Sequence, residues 1–374
     1  MNKKQRLFLL LAFKVAIVAI LLTSCGSDTM KRLSPKPLAL GELNEIVVVM
    51  DEELWEGAVG DTFRYYYSSA FPVLPQPESI FDLRHFTAEE INADLLRREL
   101  RNYVIVANLS DDDSGTAQMV KKDIGDENVR KSKELAEYTN TIVTNRWAEG
   151  QTIIYLFGNG EENLVKNLKK NFPAVRKRIH QADRKKLNAT VYLDGRNKAA
   201  EREIEETLGI TMKVPGEYKM TLNDTSVIWM RRETAESSSN IMLRKVKYEN
   251  EAQLTPDGVK SLRDSIGSYV STNLKNTYMR VNDIDLPMIV AATEINGNYA
   301  LEARGIWEIV NDYVGGSFVS YAILNKDRTE ILFADGFIHA PGKEKRNFML
   351  YLEHALRSVD FTANANVVKE KDAD

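Results

Sequence analysis

Arg304, Trp307 and Glu308 stand close together in the chain, and their residue types could do chemistry together. On a strand, alternate residues share a face, so Arg304, Ile306 and Glu308 point one way while Gly305 and Trp307 point the other. A guanidinium and a carboxylate on one face could flank a polar ligand, with the ring of Trp229 or Tyr313 stacked on it. The simpler outcome is a surface ion pair above a core tryptophan. Glu308, Asp312 and Asp335 supply the carboxylates that a hydrolase would need. Glycoside hydrolysis takes two carboxylates roughly 5–10 Å apart across one sugar. The chain has 54 acidic residues, so accidental pairs abound and spacing selects none of them. The histidines are His85, His180, His339 and His354. None has His-x-His or His-Glu-x-x-His spacing, so no metal site is expected. His339, near Asp335 and Lys343, is the best-placed general base, against the simpler role of a hydrogen-bonded loop residue. No Gly-x-Ser-x-Gly elbow exists for serine chemistry. Asp111, Asp112 and Asp113 offer oxygens without calcium-loop spacing, so a solvated loop is expected. Gly315 and Gly316 could bind an anion through their amides, but a tight turn or bulge is the expectation. Phosphate-loop and dinucleotide motifs are absent, and no cofactor is expected.

Cys25 is the single cysteine, so neither a disulfide nor a cysteine-rich zinc site can form within the chain. Lys3, Lys4 and Arg6 precede a largely apolar stretch from Leu7 to Leu22, interrupted by Lys14. A membrane span needs about 20 apolar residues, and a lysine at its centre costs roughly 2.5–3.5 kcal/mol, so a cleaved export signal over 1–24 is the better reading. Leu22-Thr23-Ser24-Cys25 resembles the lipobox of bacterial lipoproteins. That resemblance implies a diacylglycerol thioether on Cys25, which becomes the new N-terminus. It places the protein in the cell envelope, at the outer membrane facing the periplasm, held to the membrane through its N-terminal lipid. Removing residues 1–24 takes away four cations and no acid, so a net charge of −4 becomes −8. An acidic domain repels phosphate backbones, which disfavours nucleic acid as a partner.

The elements that must position these residues follow from periodicity and punctuation. Residues 25–40, with Pro35 and Pro37, read as the lipidated cysteine and a flexible tether. Residues 41–182 read as a first α+β half. Its strands are expected over 45–50, 79–86, 102–109, 139–147 and 152–157, and its helices over 51–69, from Thr87, and over 161–180. Thr87 and Glu90 form a capping box, and Asp51 is placed to cap the 51–69 helix. Residues 183–208 are strongly charged and helical in character, and read as a connector. Residues 209–362 read as a second α+β half, with strands over 211–223, 226–233, 240–249, 286–295, 299–313, 317–324 and 330–337. A helix capped by Thr255 with Pro256 at its first position runs to about Leu274. A last helix over 342–358 turns Phe348, Leu352 and Leu356 inward. Residues 363–374 form a polar tail. The fold class is α+β: two mixed halves with largely antiparallel sheets, their helices on one face.

Arg304-Gly305-Ile306-Trp307-Glu308, Gly315-Gly316-Ser317-Phe318-Val319-Ser320-Tyr321, Asp335-Gly336-Phe337 and Ala340-Pro341-Gly342-Lys343 resemble an uncharacterised lipoprotein family of Bacteroidota, catalogued as a domain of unknown function. Asp224 to Arg232 matches it too. The resemblance implies an envelope location and transfers no activity. The expectation is a non-enzymatic binding or assembly factor with an envelope protein or the cell wall as partner, and Arg304, Trp307, Glu308, Asp335 and Trp229 as its candidate ligand contacts. Alternatives are a cell-wall glycan or peptide hydrolase and a small-ligand-binding lipoprotein with a cleft between its halves.

Overall fold

The computed structural model describes residues 35–135 and 139–361. The expected export signal, Cys25, most of the expected tether and the expected polar tail lie outside the described residues. Chain order begins β1 (Glu45–Val49), α1 (Glu52–Glu56), α2 (Ala58–Tyr67), β2 (Asp82–Phe86), α3 (Ala88–Ala93) and β3 (Asn102–Asn108). It continues α4 (Gly115–Ile124), α5 (Asp126–Glu134), β4 (Asn140–Thr144), β5 (Thr152–Gly158) and α6 (Glu161–Val191). These strands form one sheet in the order β2-β1-β3-β5-β4. Pairing is parallel throughout except for β4 against β5. The expected antiparallel pairing therefore fails for most of this half. Ile46 to Val49, Tyr103 to Ala107 and Ile153 to Phe157 are buried without alternation. Strands covered on both faces have that pattern, and helices between parallel strands supply the cover. Phe63, Tyr67, Leu164, Leu168 and Ile179 pack on one face, and Ile91, Ala117, Val120 and Ile124 on the other.

Some local signals held in this half and others did not: the helix expected over 51–69 breaks at Gly57 into α1 and α2. Thr87 and Glu90 form the capping box. Asp51 does not cap the helix that follows it. Its carboxylate accepts from Ser114 Oγ, from Thr116 N at 3.2 Å and from Thr116 Oγ1 at 2.7 Å, so it caps α4 across the sheet. The helix expected over 161–180 runs on to Val191. Asp183 explains the extension. It is buried, accepts from Asn44 N and Asn102 Nδ2 at 2.8 Å each and pairs with Arg101, which ties the charged end of α6 to the start of the sheet. The tether also ends earlier than its composition suggests. Ala39 N donates to Glu149 O at 2.8 Å and Leu40 N to Glu99 O at 2.7 Å.

The second half contains α7 (Lys198–Leu208), β6 (Ile210–Thr211), β7 (Lys219–Asn223), β8 (Val227–Glu233), β9 (Ser238–Lys247) and α8 (Pro256–Gly267). After these come β10 (Met279–Asn282), β11 (Ile289–Ile295), β12 (Asn298–Ile309), β13 (Gly315–Leu324), β14 (Glu330–His339), α9 (Arg346–Leu356) and β15 (Asp360–Phe361). The antiparallel meander is as expected. Its order is β10-β12-β13-β14-β9-β8-β7, with β11 beside the first part of β12. Helices cover both faces of it, not one. Ile204 and Leu208 of α7 join Leu352 and Leu356 of α9 on one face, and Val259 and Ile266 of α8 lie on the other. Gly336 permits the α9 contact, because a Cβ there would lie 2.9 Å from Leu356 Cδ1 and 3.2 Å from Leu352 Cβ. The 183–208 connector thus comprises the end of α6, a short turn and all of α7.

The halves meet at α9. The Lys345 side chain makes no cap for this helix. The Glu78 carboxylate of the first half does so, accepting from Lys345 N at 2.6 Å and Arg346 N at 2.7 Å. Arg346 is buried and returns the contact. Its guanidinium donates to Ser79 O at 2.7 Å and to both Asp82 oxygens at 3.0 and 2.6 Å. Leu74 packs in the second core and Phe71 against both cores. At the far end of α9, His354 Nε2 lies 3.2 Å from Asn188 Oδ1 on α6.

Two predictions follow from this seam. Arg346→Ala should lower unfolding free energy by about 2–3 kcal/mol and Glu78→Ala by about 1 kcal/mol, read from urea midpoints. Burial, helped by nearby Arg176 for His180 and by Arg184 and Lys213 for His354, holds both imidazoles below their usual range. A group with a depressed folded pKa contributes stability above its unfolded value and loses it as pH falls. The melting temperature should therefore drop on acidification below about pH 6.5, and a His180→Gln/His354→Gln variant should drop less over the same range.

Candidate functional site

The five residues singled out from the sequence fall on opposite faces of the second sheet. Arg304 and Glu308 lie on the α9 face. Arg304 Nε donates to Glu302 at 2.6 Å and Nη2 to Glu353 of α9 at 2.7 Å. Glu308 accepts from Arg280 Nε at 2.7 Å and Asn282 Nδ2 at 3.0 Å. Trp307, Asp335 and Trp229 lie on the α8 face. Trp307 is a core residue, edge-on to Phe337 at 5.5 Å between ring centres. Trp229 is half-buried, and its Nε1 donates to Asn240 Oδ1 at 2.9 Å. Glu308 and Asp335 therefore cannot flank one sugar, and Arg304 is committed to ion pairs. His339 donates from Nδ1 to Gly315 O at 2.9 Å, while Lys343 pairs with Glu236. The glycine pair opens β13, and the turn itself lies at Asn311, whose φ is 62°. A Cβ on Gly316 would sit 1.9 Å from Ile338 O and 3.1 Å from Trp307 Nε1, so the glycine makes room for the tryptophan. Asp111 Oδ1 accepts from Asp113 N at 3.0 Å and Ser114 N at 3.2 Å, shaping the expected polar loop. Among the described residues no cluster of histidine and carboxylate side chains could hold a metal ion.

Asp335 has a partner that sequence reasoning missed. Arg263 of α8 is fully buried and donates from Nε to Asp335 Oδ1 at 3.2 Å. Ser320 Oγ donates to the same oxygen at 2.5 Å, and the guanidinium lies 3.7 Å above the Phe318 ring centre. Burial pushes the Asp335 carboxyl up, against the pull of Arg263 and the Ser320 hydroxyl. The available signal was spacing. Val259, Arg263 and Ile266 sit at helical intervals on the buried stripe of α8, where an arginine needs an acid opposite it.

Among the described residues, two of the clefts open to solvent could hold a ligand. The larger, about 540 Å³, lies at the end of the second sheet where β11 turns into β12 and β13 into β14. Tyr248, Tyr299, Asn325, Lys326, Arg328 and Glu251 line it. The loop is stiffened by Asn325, whose Oδ1 accepts from Thr329 N at 2.8 Å and Glu330 N at 3.1 Å. The smaller, about 200 Å³, lies between the end of α6 and the second half, where Tyr218, Arg232, Ser239 and Tyr351 face Asp194. In the first half, the crevice at the carboxyl ends of β1 and β3 is where parallel sheets bind ligands. Here Asp51 occupies the α4 N-terminus, and a Cβ on Gly115 would meet Glu89 Oε1 at 2.0 Å. Two carboxylates thus stand where a phosphate would bind.

Residues 39–192 match one family model, Domain of unknown function (DUF8532), and residues 197–358 match another, Domain of unknown function (DUF4837). The chain carries two domains of unknown function. The DUF8532 domain is the parallel-sheet half and the DUF4837 domain the antiparallel one, with the break falling in the turn between α6 and α7. No curated protein matches the chain. Among solved structures it is similar to the Saccharomyces cerevisiae Ran-binding protein Mog1p, at 10% identity over 41% of this chain and 90% of that one, with a TM-score of 0.28. It is also similar to the human StarD13 lipid transfer and protein localization domain, at 11% identity over 43% of this chain and 93% of that one, with a TM-score of 0.19. Scores this low establish no shared fold.

If the Arg263–Asp335 pair is structural, Arg263→Met or Asp335→Leu alone should cost about 3–5 kcal/mol by stranding a buried charge. The double variant should recover most of that loss in urea unfolding.

Proposed function

We propose that the protein is a lipid-anchored lipoprotein of the cell envelope, of the kind found in Bacteroidota, which captures a carboxylate-bearing saccharide of the cell wall without covalent chemistry. The cleft at the end of the DUF4837 sheet carries this reading. Tyr248 and Tyr299 offer ring faces for the apolar side of a sugar, while Lys326 and Arg328 offer cations for its carboxylate. Asn325 is held rigid beside them. Among the described lining residues Glu251 is the one carboxylate, where glycoside hydrolysis takes two. The resemblance of Leu22-Thr23-Ser24-Cys25 to a lipobox supports the envelope location, and a lipid on Cys25 would keep the cleft near the wall.

An assembly role with a protein partner is the second reading. Its support is an apolar patch at the opposite end of the same sheet, where Tyr269, Leu274, Tyr278 and the fully exposed Tyr313 gather around the bond from Asn311 Nδ2 to Asn276 O at 2.9 Å.

Purified wall fragments should bind the full chain in calorimetry, and Tyr299→Ala or Arg328→Ala should weaken binding about tenfold each, equivalent to ~1.4 kcal/mol. Binding that ignores both substitutions would reject the cleft. Cys25→Ala should abolish incorporation of a labelled fatty acid and release the protein from the membrane fraction.

A further inference from the structure

The point where the chain enters the first domain is unusually apolar on its outside. Leu38 and Leu40 are 70% and 58% exposed. Both are fixed in place, because Leu38 bridges to Glu149 and Leu40 to Leu100. Leu40 N also donates to Glu99 O, the last residue of a 3-10 turn over Leu96–Glu99. Leu96 opens that turn and Leu95 precedes it, and the two are 71% and 67% exposed. Polar groups border them. Lys36 Nζ bonds Asn145 O, Arg97 pairs with Glu90 and Asp94, and Arg98 donates to Ile91 O at 3.0 Å. Four exposed leucines on a backbone held in place, ringed by polar side chains that already have partners, offer an apolar surface to an interfacial membrane contact.

We infer that Leu38, Leu40, Leu95 and Leu96 form a membrane-resting face, which lies on the bilayer beside the lipid anchor. The inference rests on the reading of Cys25 as lipidated. The chain between Cys25 and Leu38 then supplies the second argument. At ~3.3–3.6 Å per fully extended residue its reach is at most about 47 Å, and it joins the domain at the leucines themselves. The face nearest the anchor is therefore this one. A tether of that length holds the patch at an effective concentration on the order of millimolar, so an affinity too weak to recruit a free protein still keeps it seated. The domain is thereby oriented, not merely attached. The source of the apolar surface is the bilayer and not a protein, because the tether delivers the patch to lipid first.

The test uses the full-length protein, lipidated and reconstituted into phosphatidylethanolamine–phosphatidylglycerol vesicles. Cys25 is the single cysteine and its thiol is acylated in this reading, so one introduced thiol takes one fluorophore. An environment-sensitive dye at Leu96→Cys, and separately at Leu38→Cys, should shift to shorter wavelength. Acyl-chain nitroxide lipids should quench it several-fold more than the same dye at Tyr313→Cys. Leu95→Asp in the Leu38→Cys background should abolish that difference. If the protein floats with the vesicles but the dye at both leucine positions stays water-like, the resting face is overturned while the anchor stands. If the protein does not float and Cys25 takes a second dye, the anchor fails and the face falls with it.

Discussion

A helix cannot begin inside a protein with its first amide groups unsatisfied, and α9 begins where its own chain offers no side-chain cap. Glu78, far upstream in sequence, completes it. The rest of the architecture depends on this contact. It fixes α9 against the first domain, and α9 closes one face of the antiparallel sheet through Leu352 and Leu356. The Arg346 guanidinium, buried over Asp82 and Ser79 O, makes the joint directional. The two domains therefore share one helix as their common wall.

The same economy recurs on a smaller scale. Asp51, just past β1, caps α4, and Asp183 on α6 ties that helix to the start of the sheet. Asp335 on β14 neutralises Arg263 on α8. In each case a carboxylate from one element satisfies the backbone or cation of another, and helices that would otherwise lie loosely on a sheet are located by charge.

Much of the second domain was legible in sequence. Alternating strands and close turns gave the meander, and Thr255 with Pro256 gave the start of α8. The capping box at Thr87 was equally plain. The parallel order of the first sheet was not, because an apolar run such as Tyr103 to Ala107 carries no mark of the direction of its partner. Arg304 and Asp335 looked like neighbours in a ligand site, yet strand parity put them on opposite sides of one sheet. The residues that line the large cleft went unremarked because they come from three separate turns, and only the pairing of β11, β12, β13, β14 and β9 brings them together.

The Glu78 cap has a temporal side as well. A chain is made from its N-terminus, so Glu78 and Asp82 exist long before Lys345 and Arg346. Until those arrive, the face of the sheet that holds Val319, Tyr321 and Ala334 has α7 over it but lacks Leu352 and Leu356 of α9. A product that stops short of residue 345 would keep two unmatched carboxylates and an oily surface, both readable by a protease or chaperone. The seating of α9 thus distinguishes a chain that has reached this helix from one that stops short of it.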